Sequence, residues 1–293
     1  MFKEIREMLT ALNFPAGDLR DLPTSTQSFD DGADFRIEIP SINSPTLMEA
    51  VINESKRLGV KINRLTETYG MFRHTETEIK DMVALAADAG SQFIMSVGPR
   101  ASYDTSATAG SLQGKTIAYR LRGQEQVVRA LADIYRGLDL GVKSFLVYDE
   151  GLLMALGKMR EHNYIDPSII FKISAHCGHG NPLSFKLLET LGADSINPVR
   201  DLELPMLAAL RQTIKIPLDC HTDAPATSGG FVRTYEAPEM VRVASPVYLK
   251  TGTSALRGHG TQATKEEAVN MVRQTAIVLE MMERHYPAAV QSI

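Results

Sequence analysis

The regular alternation of helical patterns with short apolar runs most constrains how this chain can fold. Four apolar runs begin directly after a glycine that ends a helical pattern, at Gly59, Gly90, Gly141 and Gly192. Glycine adopts the left-handed conformation that commonly follows the last turn of a helix. Each glycine therefore marks the end of a helix and the approach of a strand.

The pattern predicts eight strands with helices between them. The predicted strands are Phe35–Pro40, Val60–Thr66, Gln92–Gly98, Ser144–Tyr148, Ile169–Ser174, Ser195–Pro198, Ile216–His221 and Val247–Thr251. The predicted helices are Thr46–Leu58, Glu76–Ala89, Gln124–Leu140, Leu152–His162, Leu183–Leu191, Leu202–Thr213, Pro238–Ala244 and Lys265–His285. Strict alternation is typical of a parallel sheet, and eight units close a barrel. The sequence predicts an α/β fold, a single-domain (β/α)8 TIM barrel. An open doubly wound sheet is the alternative, but no G-x-G-x-x-G follows the first strand.

We divide the chain into residues 1–34, an N-terminal helix with a lead-in, and residues 35–293, the barrel. The N-terminal helix is predicted over Phe2–Leu12, with apolar residues on one side, and we expect it to cover the bottom of the barrel. The last helix is apolar at Val272, Val278 and Met282. Such a helix can close the barrel and also pair with a second subunit, so we expect a homo-oligomer as one option.

Composition excludes several classes of partner. The net charge is -4 and the pI is near 6.0, so no basic surface for nucleic acid is expected. No apolar run approaches the roughly 20 residues of a membrane span. Cys177 and Cys220 are too few for a disulfide framework, and the N-terminus has no apolar signal core. We expect a cytoplasmic protein with a small-molecule substrate and no nucleic-acid or membrane partner.

Two connections are longer than a TIM barrel requires. One runs from Pro99 to Gly123 after the third strand, and the other from Thr222 to Tyr235 after the seventh. Both leave the carboxyl end of a strand, where barrel enzymes hold their active sites. Loops of this length are often lids or binding loops, and we predict that role for both.

The strand residues that face the barrel interior include many charges. Alternate strand positions are apolar and suit the helix layer. The opposite positions are Arg36, Glu38, Arg64, Lys172, Ser174, Asp219, His221 and Lys250. Buried charges cost several kcal/mol each unless they are paired. The pattern therefore indicates a structural ion-pair network, a ligand site, or both.

Lys172 and Lys250 are candidates for covalent chemistry. A desolvated lysine loses its proton readily and can form a Schiff base with a carbonyl. Class I aldolases on barrels use a comparable lysine. The donors in Thr251–Ser254, directly after Lys250, can also hold a phosphate or carboxylate. A plain ion-pair role for both lysines is the alternative.

Other charged residues are candidates for proton transfer and substrate binding. Glu67, Asp219 and His221 are predicted to move protons, although Glu67 could equally neutralise a neighbouring arginine. Glu38 is a further candidate base or a neutralising partner. The predicted substrate-binding residues are Glu38, Arg64, Arg100, Asn197 and Arg233.

The histidines cluster after the fifth and seventh strands. The segment HCGHGN contains His176 and His179, and His221 ends the seventh strand. Together these three, with nearby carboxylates, are a candidate site for zinc, manganese or iron, although no stronger metal motif is present. The glycine-rich segment can instead cradle an anion, and loop histidines without a role are a third option. Cys177, between two histidines, is a candidate nucleophile, or an inert core cysteine.

Two segments in the second half of the chain carry a resemblance to a known family. The segments FKISAHCGHGNPLSFKLLETLGADSINPVRDLELPMLAALRQTIKIPLDCHTDAP and GGFVRTYEAPEMVRVASPVYLKTG resemble barrel proteins of the collagenase-like (U32-type) peptidase family, over roughly residues 35 to 255. The resemblance implies a barrel with a site at its mouth. The family's segment with two closely spaced cysteines is missing here, so no catalytic residue is carried over.

These observations predict an enzyme that acts on a small anionic carbonyl- or amide-containing substrate at the barrel mouth. A peptidase-like hydrolase is the first expectation, with Glu67, Lys172, His176, Asp219, His221 and Lys250 as catalytic candidates. The alternatives are a Schiff-base or metal-dependent lyase or aldolase, and a non-catalytic barrel that binds a metabolite or serves as a partner subunit. A divalent metal is the cofactor that these residues would accept.

Overall fold

Eight parallel strands form a closed barrel. The computed structural model describes residues 2–100, 111–112, 114, 119–258 and 261–293. The strands pair in chain order, and the first closes on the last. They are β1 (Phe35–Pro40), β2 (Arg64–Thr66), β3 (Gln92–Ser96), β4 (Ser144–Val147), β5 (Ile170–Ile173), β6 (Ser195–Ile196), β7 (Leu218–His221) and β8 (Val247–Lys250). The TIM-barrel prediction is confirmed. Most of the predicted lid after β3 lies outside the described residues.

The predicted barrel helices are present and end within two residues of their expected bounds. The α-helices of the described residues are α1 (Lys3–Ala11), α2 (Pro45–Leu58), α3 (Glu76–Asp88), α4 (Gly123–Asp139), α5 (Glu150–Glu161), α6 (Pro182–Thr190), α7 (Leu204–Thr213), α8 (Ala237–Ala244) and α9 (Lys265–His285). Strand β1 has its predicted bounds; the other strands are shorter than predicted, because the ladder begins late in β2 and β7 and ends early in β3, β4, β6 and β8.

Local signals account for these boundaries. The Ser44 side chain accepts a hydrogen bond from the Leu47 amide at the start of α2. Thr75 and Glu78 form a capping box at the start of α3. Gly59 ends α2 with a φ of 68°, a conformation that a residue with a Cβ adopts at a cost.

The apolar core lies between the sheet and the surrounding helices. Ile37 and Ile39 on β1 and Leu218 on β7 are fully buried on the outward side of the barrel. The long helix α9 packs closely on α2 and buries Met271, Val272, Val278 and Met282 on one side. Because alternate strand residues face this layer, the remaining strand residues face the barrel axis.

The bottom of the barrel is not covered by α1. No residue of α1 is buried, and Phe2 and Leu12 at its ends are about two-thirds exposed, at 67% and 65%. Phe29 instead packs edge-to-face on Tyr248, with 5.2 Å between ring centroids, and Ala33 completes this cluster. The helix forms close to its predicted bounds, but the prediction that it covers the bottom of the barrel is wrong, because the lead-in segment occupies the apolar surface that the helix would have covered.

No helix in the described ranges combines the length and the apolar character needed to cross a lipid bilayer.

Candidate active site

Glu38 lies at the centre of an ionic network inside the barrel. The strand register places it beside Arg64 on β2 and Lys250 on β8. Its carboxylate accepts a hydrogen bond from the Lys172 ammonium and one of 2.9 Å from the Thr66 hydroxyl. The Lys250 Nζ lies 3.5 Å from Glu38 Oε1, and the Arg64 Nη1 lies 3.4 Å from Oε2. Glu38 is completely buried.

Asp219 is the second anion of this network. Its Oδ1 lies 2.8 Å from Arg64 Nη1, and its Oδ2 lies 3.5 Å from Lys172 Nζ. Arg64 also stacks on Tyr248, with its guanidinium carbon 3.3 Å from the ring centroid. Arg64 and Lys172 therefore each bridge both carboxylates, and this arrangement holds five strands together at the barrel axis.

Positive charge exceeds negative charge in this layer. Burial on its own raises the pKa of Glu38, but Lys172, Lys250 and Arg64 outweigh burial and hold that pKa well below its ordinary value. Glu38 is therefore ionised. Three basic side chains face the two carboxylates of Glu38 and Asp219, so the site favours an additional anion or a neutral lysine.

Lys250 is the basic group that loses its charge most easily. Burial and the nearby Lys172 lower its pKa to about 7, against the opposing effect of Glu38 and Asp219. Its Nζ donates a 2.9 Å hydrogen bond to the amide oxygen of Asn197. Around neutral pH, a large fraction of Lys250 is thus a free amine.

Asn197 fixes the geometry of this amine. Its Nδ2 donates a 2.6 Å hydrogen bond to the Asp219 carbonyl, which directs its Oδ1 toward Lys250. The residue follows β6 and is buried. Asn197 therefore holds the lysine with a neutral acceptor and adds no charge that would keep it protonated.

His221 lies beside Lys250 and is uncharged. The two residues are partners in the register of β7 and β8. Burial lowers the pKa of His221 well below its ordinary value, and the charges of Lys250, Arg200 and Lys172 lower it further. The Asp223 backbone favours a higher pKa for His221, but it is not placed to form a hydrogen bond with either ring nitrogen.

Polar atoms around Lys250 lack partners. Among the described residues, neither ring nitrogen of His221 makes a hydrogen bond, nor does the hydroxyl of Thr251, which follows Lys250. Buried polar atoms in folded proteins are nearly always hydrogen-bonded, and exceptions often mark functional sites. Unsatisfied groups on both β7 and β8 thus point to a ligand site at this position.

Glu67 holds the backbone of the loop after β2. Its carboxylate accepts hydrogen bonds from the amides of Gly70 at 2.9 Å and Ser96 at 3.2 Å, and it contacts His74 Nε2 at 3.1 Å. The structure therefore places this predicted proton-transfer residue outside the Lys250 cluster, with its oxygens already occupied.

The donors after Lys250 are occupied by Asp223. Its carboxylate accepts a 2.8 Å hydrogen bond from the Gly252 amide and another from Ser254, while its carbonyl accepts 2.7 Å from the Thr253 hydroxyl. The expectation that Thr251–Ser254 cradles a phosphate is therefore wrong for Gly252 and Ser254, because an internal carboxylate already fills that cradle.

Arg100 lies at the mouth beside the aromatic residues that follow β4. Its guanidinium stacks over Tyr148 at 4.3 Å and donates to the Tyr148 hydroxyl at 3.2 Å and to the Thr68 carbonyl at 3.1 Å. The same hydroxyl lies 2.8 Å from Ser96 Oγ. Arg100 thus supports the wall of the mouth rather than the Lys250 cluster.

Two of the three predicted metal-binding histidines, His176 and His179, have separate partners. His176 stacks on Tyr119, with centroids 4.0 Å apart, and its Nε2 lies 3.2 Å from Arg200. His179 contacts the carboxylate of Glu150. In the part of the chain that the structure describes, no group of three or more His, Cys, Asp or Glu side chains is arranged to hold a metal ion. The predicted metal site finds no support in these residues.

Arg233 and Cys177 are also engaged elsewhere. Arg233 pairs with Glu236 and donates a 2.8 Å hydrogen bond to the Leu202 carbonyl. Burial raises the pKa of the Cys177 thiol to about 12, and the nearby Glu150 raises it too. A buried, protonated thiol is a poor nucleophile.

Sequence reasoning missed Arg200 and Tyr148. Tyr148 directly follows β4, and Arg200 lies in the loop after β6. The rule that site residues follow the carboxyl ends of barrel strands applies to both positions. The arginine that follows the short apolar run of β6 could therefore have been identified from the sequence as a candidate site residue.

Comparisons with known proteins show the fold. No protein-family profile matches the sequence, and no curated protein matches it. The oxidised form of the homocysteine methyltransferase MmuM from Escherichia coli aligns with a TM-score of 0.53 and 13% identity, over 84% of this chain and 98% of that one. A structure described as native KDPGal aligns with a TM-score of 0.51 and 10% identity, over 88% and 98%. A U32 peptidase aligns at 0.46 and 17%, over 68% and 73%. The first two alignments show that this chain has the same barrel fold as those proteins, and they show nothing about its reaction or substrate.

Proposed function

We propose that this protein is an enzyme that forms a Schiff base between Lys250 and a small anionic carbonyl compound, in the manner of a lyase or aldolase. The observation that carries the proposal is a buried amine whose pKa is lowered to about 7 beside an uncharged His221 that has no hydrogen-bond partner among the described residues. Such an amine is nucleophilic at neutral pH, and the adjacent imidazole is able to transfer protons.

The site supports each proton movement of this reaction. The free amine of Lys250 attacks the carbonyl carbon, and the carbonyl oxygen takes a proton to give a carbinolamine. His221 relays a proton from solvent to that hydroxyl, which leaves as water and gives an iminium ion. The iminium then accepts the electron pair of the bond between its α-carbon and β-carbon as that bond breaks. The hydroxyl on the β-carbon gives its proton to the neutral His221 ring, so the departing fragment leaves as an aldehyde and an enamine remains on Lys250. Glu38 and Asp219 stabilise the positive charge on the iminium nitrogen.

Lys250 is better suited to this role than Lys172. Lys172 contacts the carboxylates of both Glu38 and Asp219 and is fully buried, so its charge is compensated and its amine is enclosed. Lys250 keeps a small exposed fraction and donates to the neutral amide of Asn197. Lys172 therefore acts as the fixed positive charge that lowers the pKa of its neighbour.

The same geometry favours lyase chemistry over the hydrolase expected first. A hydrolase needs an activated nucleophile or a base for water; His221 is a candidate base, but neither the cysteines nor Glu38 suits either role. Burial raises the pKa of both Cys177 and Cys220 to about 12. The carboxylate of Glu38 is held by three cations, which makes it a weak base. The net positive charge at the axis favours an anionic substrate.

Borohydride trapping tests the proposal. The protein is incubated with pyruvate, 2-oxoglutarate or hydroxyacetone, reduced, digested and examined by mass spectrometry. We expect a reduced adduct on Lys250 with at least one of these probes and none on exposed Lys186. Absence of an adduct with all three, or an adduct spread equally over surface lysines, contradicts the proposal.

A further inference from the structure

Among the described residues, Arg200 brings to the mouth of the barrel a positive charge that no carboxylate pairs with. It lies in the loop after β6 and is partly buried. Burial lowers its pKa, and in the described part of the chain only Tyr119 and Tyr148, not a carboxylate, act on that pKa in the opposite direction. A guanidinium removed from water without a carboxylate is costly, and an anionic ligand would offset the cost.

The position of Arg200 is fixed by neutral groups. The neighbouring Val199 amide donates a 2.9 Å hydrogen bond to the His179 carbonyl, which ties this loop to the loop after β5. Arg200 Nη2 donates to His176 Nε2 at 3.2 Å, so that nitrogen is the acceptor and His176 is unprotonated there. The His176 ring is held in turn by stacking on Tyr119. The guanidinium is thereby oriented without being neutralised.

Arg200 lies near His221, because both residues line one small cavity. The charge of Arg200 also contributes to lowering the pKa of both His221 and Lys250. A small molecule with its carbonyl at Lys250 can therefore extend past His221 toward Arg200.

A cavity of about 450 Å³ opens at Arg200 and is lined by Ala175, Val199, Asp201, Ser228, Gly229 and Phe231. Ligand pockets for small molecules typically measure about 300 to 1,000 Å³. Among the described residues, Asp201 forms no ion pair with Arg200, so the end of the cavity at Arg200 stays positively charged. The space suits a short ligand with one charged terminus.

We infer that Arg200 binds a carboxylate or phosphate of the substrate that is separated from its reacting carbonyl, and so selects substrates with a distal anionic group. This inference rests on the proposed function for the carbonyl end. Arginine provides several donors in one plane and suits either anion. His176 is a positioning residue that orients Arg200.

Direct binding tests Arg200 without Schiff-base chemistry. Calorimetry measures inorganic phosphate and succinate, neither of which has a carbonyl that could react, with wild-type protein and with Arg200→Gln. We expect at least tenfold weaker binding of the preferred anion to Arg200→Gln, with an intermediate affinity for Arg200→Lys. The matched control Arg273→Gln removes an exposed arginine from α9 and should bind as wild type does. Preference for phosphate or for succinate identifies the anion.

Trapping then separates the two proposals. Because the Arg200 charge also affects the pKa of Lys250, the trapping rate with an anionic carbonyl is divided by the rate with neutral hydroxyacetone in the same protein. For the preferred anionic probe, hydroxyacetone phosphate or 2-oxoglutarate, this ratio should be at least tenfold lower in Arg200→Gln than in wild type. An unchanged ratio, together with unchanged anion binding, overturns the role of Arg200. No adduct in wild type overturns the proposed function, and anion binding then still decides whether Arg200 is an anion site.

Discussion

The two ends of the barrel interior are built from the same alternation of strand residues but differ in how their polar groups are satisfied. At the bottom, Arg36 donates to Ser292 at 2.8 Å, to the Tyr248 hydroxyl at 3.0 Å and to Asp31 at 3.2 Å. At the mouth, polar atoms of His221 and Thr251 have no partner among the described residues, beside a lysine that is partly neutral. The comparison teaches that buried charge inside a barrel does not by itself mark a site, whereas buried polar atoms without partners point to one.

The largest expected effect is the loss of reactivity in Lys250→Met. This change keeps the linear apolar stem of the side chain and removes the amine, so adduct formation should fall by at least about 10³-fold. At pH 10, where the pH-dependent contribution of this lysine is small, the free energy of unfolding should change by less than about 2 kcal/mol, because one hydrogen bond to Asn197 is lost while a desolvated amine is removed. Trapping and urea denaturation measure the two effects. If Lys250→Met loses much stability and an adduct still forms, on another lysine, then Lys250 is structural.

Lys172→Met should be costly for stability. Its removal leaves Glu38 and Asp219 with one cation fewer, and breaking a buried ion pair typically costs about 3–5 kcal/mol. The pKa of Lys250 should also rise, since Lys172 is one of the charges that lower it. Denaturation and the pH profile of trapping check both results. A stable variant with an unchanged pH profile would contradict the role of Lys172.

Arg36→Met tests the bottom of the barrel. It removes three hydrogen bonds and the stacking of the guanidinium on Phe29, at 4.1 Å, so stability should fall by about 1–3 kcal/mol. Trapping at Lys250 should proceed at the wild-type rate. If the Lys250 adduct is lost in a folded variant, the two ends of the barrel are not independent.

The remaining expected effect is a dependence of stability on pH. The pKa of Lys250 is about 7 in the folded protein, below its ordinary value of 10.5. Between these values the unfolded chain binds the extra proton, so this lysine makes stability rise with pH over that window. Denaturation of wild type and Lys250→Met at pH 7, 8.5 and 10 isolates the contribution. A difference between the two proteins that stays constant with pH would contradict the lowered pKa.

The sequence predicted the fold well because its signals are local. Caps such as Ser44 and Thr75, and glycines such as Gly59, act within one turn of a helix. Strand alternation also predicted that Glu38 and Lys250 face inward. These signals required no knowledge of distant contacts.

The roles within the site could not be predicted in the same way. Glu67 and Asp223 are carboxylates at strand ends, like Asp219, yet both are occupied by backbone amides. Their occupancy depends on loop conformations that no local pattern encodes. The misplacement of the N-terminal helix has a similar origin, because Phe29 competes for the same apolar surface. Long-range packing decides these cases.

The rate of borohydride trapping at Lys250 as a function of pH tests the central claim most directly. With hydroxyacetone, whose charge is constant over the range, the rate should rise with a midpoint near 7 as the amine loses its proton, given the pKa lowered by burial and by Lys172. A midpoint near the ordinary lysine value of 10.5, or an adduct that forms only on other lysines, would contradict the account.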